Sequence, residues 1–331
     1  VNLLDALVDG LRAALGVPAA AYALAAVGLN LQFGYGGLIN VGQVGFLLVG
    51  AYGTAITMDS GGSLLLGVTV GIAASVALGL VLGLSTLRLR ADYLAIATLA
   101  TAEILRTTVR ARPLADLTGG VFGLNDFAGD FYDLNPIPVG RYGVGDLAFN
   151  QRNLWLILVA WTLVGLSCVV VWRLVDSPWG RALRSVRDDE DLARSLGKDV
   201  LGLKVQSFVV GGAIGALGGV VLAFDAQYVD PDFWVLTVTT YAFTALVLGG
   251  QGTVRGPVLG SMTFWFVIQA SDTLLRQGLE DSVFGDAVTP NDAGPIRFAI
   301  VGLVLMVLMV FRPDGVFTRR SSGSGSRLTG S

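Results

Sequence analysis

Residues 64–87, LLLGVTVGIAASVALGLVLGLSTL, carry no charge across 24 consecutive positions. About 20 apolar residues are enough for an α-helix to cross a hydrocarbon core roughly 30 Å thick. In that solvent every backbone N–H and C=O must be paired within the protein, so only helices and closed barrels span it. A barrel would need short strands of alternating polarity, and this sequence has long apolar blocks instead. The expected class is therefore all-α: a polytopic transmembrane helix bundle. Composition agrees, with 53% hydrophobic and 14% charged residues, against about 25% charged in soluble domains.

Nine crossings are expected, at about 18–33, 38–58, 64–87, 93–110, 153–174, 206–225, 234–249, 257–272 and 296–311. Lys and Arg are enriched in cytoplasmic loops. With the N-terminus outside and the C-terminus inside, the inner segments 88–92, 173–205, 250–256 and 312–331 hold 14 of the 22 Lys and Arg but only 8 of the 25 acidic residues. The expected domain is a single membrane unit over 1–315. It has an outer loop at 111–152, a second at 273–295, an inner loop at 176–205 and a disordered Gly/Ser-rich tail at 316–331. No cleavable signal pattern is read at the start. Residues 3–16 instead set leucines opposite Asp5, Asp9 and Arg12, as an interfacial amphipathic helix does.

The single cysteine, Cys168, and the lack of histidine rule out an internal disulfide and a Cys/His metal site. A metal-dependent or hydrolytic membrane enzyme is correspondingly hard to build. GGQGTVRG (249–256) is glycine-rich, but its spacing fits neither the nucleotide phosphate loop nor the dinucleotide fingerprint. No cofactor is expected on this chain, and nucleic acid is not an expected partner.

Small residues recur every fourth position at Gly67, Gly71, Ser75, Gly79 and Gly83, and again at Gly211, Gly215 and Gly219. Such rows let helices approach closely in lipid, where little hydrophobic force drives them together. A third concentration, FGYGGLINVGQVGF (33–46), is read as a tight inner turn followed by a close-packed second span. It carries Asn40 and Gln43, which share a face if helical. They either hydrogen-bond across helices or line a path. Thr98, Thr101 and Glu103 are the other polar residues expected at membrane depth. Glu103 either serves the path or pairs with Arg106 three residues on.

The inner loop reads as two short helices. Ser177 and Pro178 form a helix start. The acidic run 188–191 suits the N-terminus of a second helix, which carries Leu192, Ala193 and Leu196 and stops at Gly197. Its mixed apolar and charged faces suit protein docking.

This segment, SPWGRALRSVRDDEDLARSLG, resembles the coupling loop of ABC-importer permeases, with Asp191-Leu192-Ala193 where Glu-Ala-Ala would stand and Gly197 at the matching spacing. More specifically it resembles the branched-chain amino acid permeases, the LivH/LivM family. GLNLQFGYGGLINVGQVGFLLVGAYG (28–53), LRLRADYLAIATLATAEILR (87–106), TGGVFGL (118–124) and VLGGQGTVRGPVLGS (247–261) agree with its LivM-type branch. Urea and amide permeases share the pattern. Many relatives have His where Gln43 stands, and Asp191 shortens the reach of the usual Glu. The resemblance implies half of a heterodimeric pore in a bacterial-type inner membrane. It implies a sister permease, two cytoplasmic ATPase subunits that hold ATP and Mg, and an extracytoplasmic binding protein. It places ATPase coupling at Arg181, Arg184, Asp191, Ala193 and Gly197; the candidate path residues Asn40, Gln43, Thr98, Thr101 and Glu103 are read from their polarity at membrane depth instead. A secondary transporter or channel would instead need ion-coupling carboxylates deep in the bundle, where only Glu103 and Asp225 qualify.

Overall fold

The computed structural model describes residues 3–86, 91–144 and 147–280, with Gly294, Ile296, Ala299, Gly302, Leu303 and Met306 as further helical positions. In chain order the helices are α1 (Leu3–Leu15), α2 (Val17–Leu29, prolonged by a π-turn at Asn30–Tyr35), α3 (Gln43–Asp59), α4 (Leu64–Thr86) and α5 (Ala91–Arg110). The outer loop holds α6 (Ala115–Thr118) and α7 (Gly129–Asp133). Then come α8 (Gln151–Asp176), α9 (Pro178–Asp188), α10 (Glu190–Ser195), α11 (Val200–Ala226), α12 (Leu236–Gly249) and α13 (Gly256–Glu280). Among the described residues two small antiparallel sheets lie in the loops at the end opposite α9 and α10: β1 (Leu124–Asn125) with β4 (Tyr228–Val229), and the hairpin β2 (Arg141–Val144) with β3 (Leu147–Asn150).

The first eight expected crossings are each helical. Among the described residues, five segments are long and apolar enough to cross by themselves: Val17–Tyr35, Leu64–Ser85, Gln151–Asp176, Val200–Ala226 and Gly256–Gly278. The ninth expected crossing and the tail lie outside the described residues, apart from the isolated positions named above. The second crossing is corrected at its start: helix begins at Gln43, and residues 38–42 are not helical.

Helices α2 and α11 run antiparallel at the centre, with Leu31 beside Ser207, Gly28 beside Gly211 and Ala21 beside Gly218. Their composition allows this. The α2 sequence VPAAAYALAAVGL is small and apolar on every side, so all faces can be buried. At Gly28 and Gly211 each backbone meets the other's carbonyl, leaving no room for a Cβ. The row on α11 therefore packs as expected, with Gly215 against the Gln43 amide and Gly219 against the Leu47 carbonyl. The row on α4 is shared between two neighbours. Gly67 and Gly71 meet Thr54 and Gly50 of α3, Gly79 meets Val209 of α11, and Gly83 is buried. The opposite face of α4 is open, with Leu65 79% exposed, as a surface facing lipid or another subunit would be.

Helix α1 forms as expected, but its contact surface is its small side. Ala6, Gly10 and Ala14 are buried, while its leucines face outward. Gly10 lies against Phe266 of α13, and Asp9 accepts a 2.9 Å bond from Thr273.

Candidate functional site

The first span does not end cleanly. A π-turn at Asn30–Tyr35 leads into non-helical chain, and α3 starts only at Gln43. Gln43 lies beside Gly211, about 17 Å along α11 from its inner end at 1.5 Å per residue. The break is thus buried inside the bundle, where side chains must satisfy polar groups in place of water. Such π-turns occur mostly as single turns and frequently at functional sites.

Three amides do this. Gln32 Nε2 donates to the Phe208 carbonyl at 2.9 Å. Asn40 Nδ2 donates to Gln32 Oε1 and to Gln43 Oε1, each at 2.9 Å. Gln43 Nε2 donates to the Gly211 carbonyl at 3.4 Å. Ser207 Oγ closes the same seam by donating to the Leu31 carbonyl at 2.9 Å. The α3 N-terminus is held by Thr239, whose Oγ1 accepts from Val44 N at 2.9 Å. All three amides are fully buried, and Asn40 Oδ1 has no partner among the described residues. Amides do not ionise, so this network is insensitive to pH near neutrality.

A second junction lies at the end of the bundle that carries α9 and α10. Asn30 clamps the turn between α12 and α13 at two points, donating to the Thr253 carbonyl and accepting from Gly252 N, both at 2.8 Å. Arg187 of α9 donates to the Gly34 carbonyl and lies over Gly37. The inner helices, the base of the first span and the glycine turn therefore meet at one place. Asn30→Ala leaves the Gly252 N–H and Thr253 carbonyl without a side-chain partner. An unmet group costs about 1–3 kcal/mol when fully buried and less at these part-buried positions, so a modest drop in the thermal midpoint of the purified protein is the expected result.

The inner loop folds as its sequence predicts. Ser177 Oγ accepts from Gly180 N, Asp189 accepts from Leu192 N, and Gly197 adopts φ +73° past the end of α10. Leu183 and Val186 anchor α9, and Ala193 packs on Val186 and Val200. Leu192 and Leu196 stand exposed beside Asp191, which pairs with Arg194 at 3.2 Å. Arg181 and Arg184 donate to the Asp176 and Val175 carbonyls at the preceding helix end.

Of the residues expected on a path, the structure brings Asn40 and Gln43 together, although Asn40 precedes the helix. Thr98 is buried, with its carbonyl against Gly42, and bonds the Ala95 carbonyl. Thr101 bonds the Ala97 carbonyl on its own helix. Glu103 is exposed and paired with Arg106, which also reaches Asp232. Asn30, Gln32 and Arg187 were not anticipated. Asn30 and Gln32 stand two apart, which on a regular helix places them on nearly opposite sides. Only a span buried all round, ending in a π-turn, uses both.

Residues 13–311 match the family described as branched-chain amino acid transport system / permease component. The permease protein LivM of the high-affinity branched-chain amino acid transport system of Escherichia coli is 30% identical over 89% of this chain and 67% of its own length. A probable LivM of Methanocaldococcus jannaschii is 25% identical, covering 90% of this chain and 91% of its own. E. coli LivH is 24% identical over 90% and 91%. An all-helical bundle with crossings around a broken first span, matched over nearly its whole length, is thus an integral membrane protein, and it belongs to the branched-chain amino acid permease family.

Proposed function

We propose that this chain forms half of the translocation path of an ATP-driven importer for branched-chain amino acids. Its sister would be a second permease, its motor two cytoplasmic ATPase subunits holding ATP and Mg, and its donor an extracytoplasmic binding protein. The N-terminus would face outward and the C-terminus inward. The observation that carries this is the Arg187 bond to the Gly34 carbonyl. It joins the helix pair best suited to docking to the base of the broken first span. Exposed Leu192, Leu196 and Asp191 form the docking face, with Arg181, Arg184, Ala193 and Gly197 shaping the loop behind it. Movement of α9 would pull on Gly34 and, through Asn30, on the 250–255 turn. From there it would reach the Gln32–Asn40–Gln43 seam and the neighbouring Thr98 and Thr101. Glu103, held by Arg106, fits a structural role better than a path role.

The test is reconstitution with both permeases, the ATPases and the binding protein in liposomes. Uptake of labelled leucine, isoleucine and valine is expected to require ATP. Preference for urea or short amides over these solutes would move the substrate to the other branch of this pattern. Uptake driven by an ion gradient without ATP would remove the importer assignment altogether.

A further inference from the structure

The polar edge of α1 has no part in the seam described above. Asp5, Asp9 and Arg12 lie along it and line two adjoining cavities of about 340 and 450 Å³, which share Asp9 and Arg12. These volumes fall in the range of small-molecule sites. The smaller cavity also touches Val17 at the start of α2, Asp225 near the end of α11 and Gln269 on α13. It therefore caps the central helix pair at the end opposite the inner helices.

Its charges are of both signs, Arg12 and Asp225 are exposed at its mouth, and no ion pair joins them among the described residues. Arg12 makes no ion pair among the described residues and lies 5.6 Å over the Phe149 ring. Asp225 makes neither a hydrogen bond nor an ion pair among them. Asp9 accepts only from Thr273. Val17 and Ile157 supply an apolar wall. A simple anion would face two carboxylates here, and a simple cation would face Arg12. A ligand carrying both an oxyanion and an ammonium satisfies both walls.

We propose that this cavity binds a free α-amino acid, with its carboxylate on Arg12, its ammonium on Asp225 and Asp9, and its side chain toward Val17 and Ile157. The proposal rests on the amino acid permease reading and adds an outer site on this chain itself. The same chemistry is offered by a zwitterionic lipid headgroup, and the test separates the two.

The full chain in lipid nanodiscs is titrated with leucine, leucinamide and isocaproate, following ligand signals by saturation-transfer NMR. Leucine is expected to bind saturably. Leucinamide, without the carboxylate, and isocaproate, without the ammonium, are each expected to bind at least tenfold more weakly. Asp225→Asn and Arg12→Gln should each abolish the leucine signal. Equal binding of the three compounds to the unaltered chain overturns the proposal without relying on any variant. So does leucine binding that survives both substitutions. Discs with and without phosphatidylethanolamine should give the same leucine signal. Its loss only when that lipid is present assigns the cavity to a headgroup instead. Should the cavity stay empty while the reconstituted importer still takes up leucine, this site fails and the transport reading stands.

Discussion

Arg187→Ala is expected to cut ATP-driven uptake by roughly 10- to 100-fold while leaving the bundle folded. A hydrogen bond from a charged donor contributes about 1.5–3 kcal/mol, and each 1.4 kcal/mol is about a factor of ten. That factor applies to whichever equilibrium couples α9 to the first span. Folding should survive because the Arg187 residue is exposed and its removal leaves no cavity in the core. Arg187→Lys keeps the charge but loses the planar fork of donors, so an intermediate uptake is expected. Arg276→Ala is the control, since Arg276 pairs with Asp272 on its own helix α13 and belongs to no part of the inner loop. Uptake and phosphate release are measured together in liposomes holding the reconstituted importer. The uncoupled outcome is hydrolysis that persists while uptake falls. If Arg187→Ala and Arg276→Ala transport equally well, the link through Gly34 is not a transmission point.

Gly219→Val should be severely damaging to the bundle. A Cβ at Gly219 would be driven into the backbone of Leu47, touching its carbonyl, its carbonyl carbon and its Cα. Ordinary overpacking costs about 1–3 kcal/mol because side chains can shift. A backbone wall cannot yield that way without parting α3 from α11, so a larger loss is expected. It would appear as failure to purify a folded protein, or a thermal midpoint far below the parent's. Gly79→Ala is a graded comparison, because its Cβ would meet Val209 at 3.1 Å, tight but not impossible. Gly197→Ala tests a different physics. Nothing lies within 4 Å of its Cβ, but φ is +73°, and the left-handed region costs an L-residue about 1–2 kcal/mol. Its effect should be confined to the inner loop. A Gly219→Val protein that melts with the parent would disprove the close approach of α3 and α11.

The sequence by itself determined the membrane class, because 24 uncharged positions admit no other solvent. It also determined the inner helix pair. Ser177, Pro178, the acidic run and Gly197 are local capping signals, and capping depends on neighbours a few residues away. The glycine rows announced close packing for the same reason: a missing Cβ is visible in the chain whatever it packs against. What they packed against was not visible. Gly211 finding Gly28, or Gly79 finding Val209 rather than α3, depends on how separate helices are arranged. The turn after the first span was legible in its glycines, but its extension to residue 42 was not, since Gly42 is compatible with a turn or a helix. Only the tertiary structure placed Asn40 off the helix, joined it to Gln32 and Gln43, and set Arg187 beside Gly34 across 153 residues of chain. A buried polar group takes whatever partner the fold brings within about 3 Å, and sequence spacing carries no record of that partner.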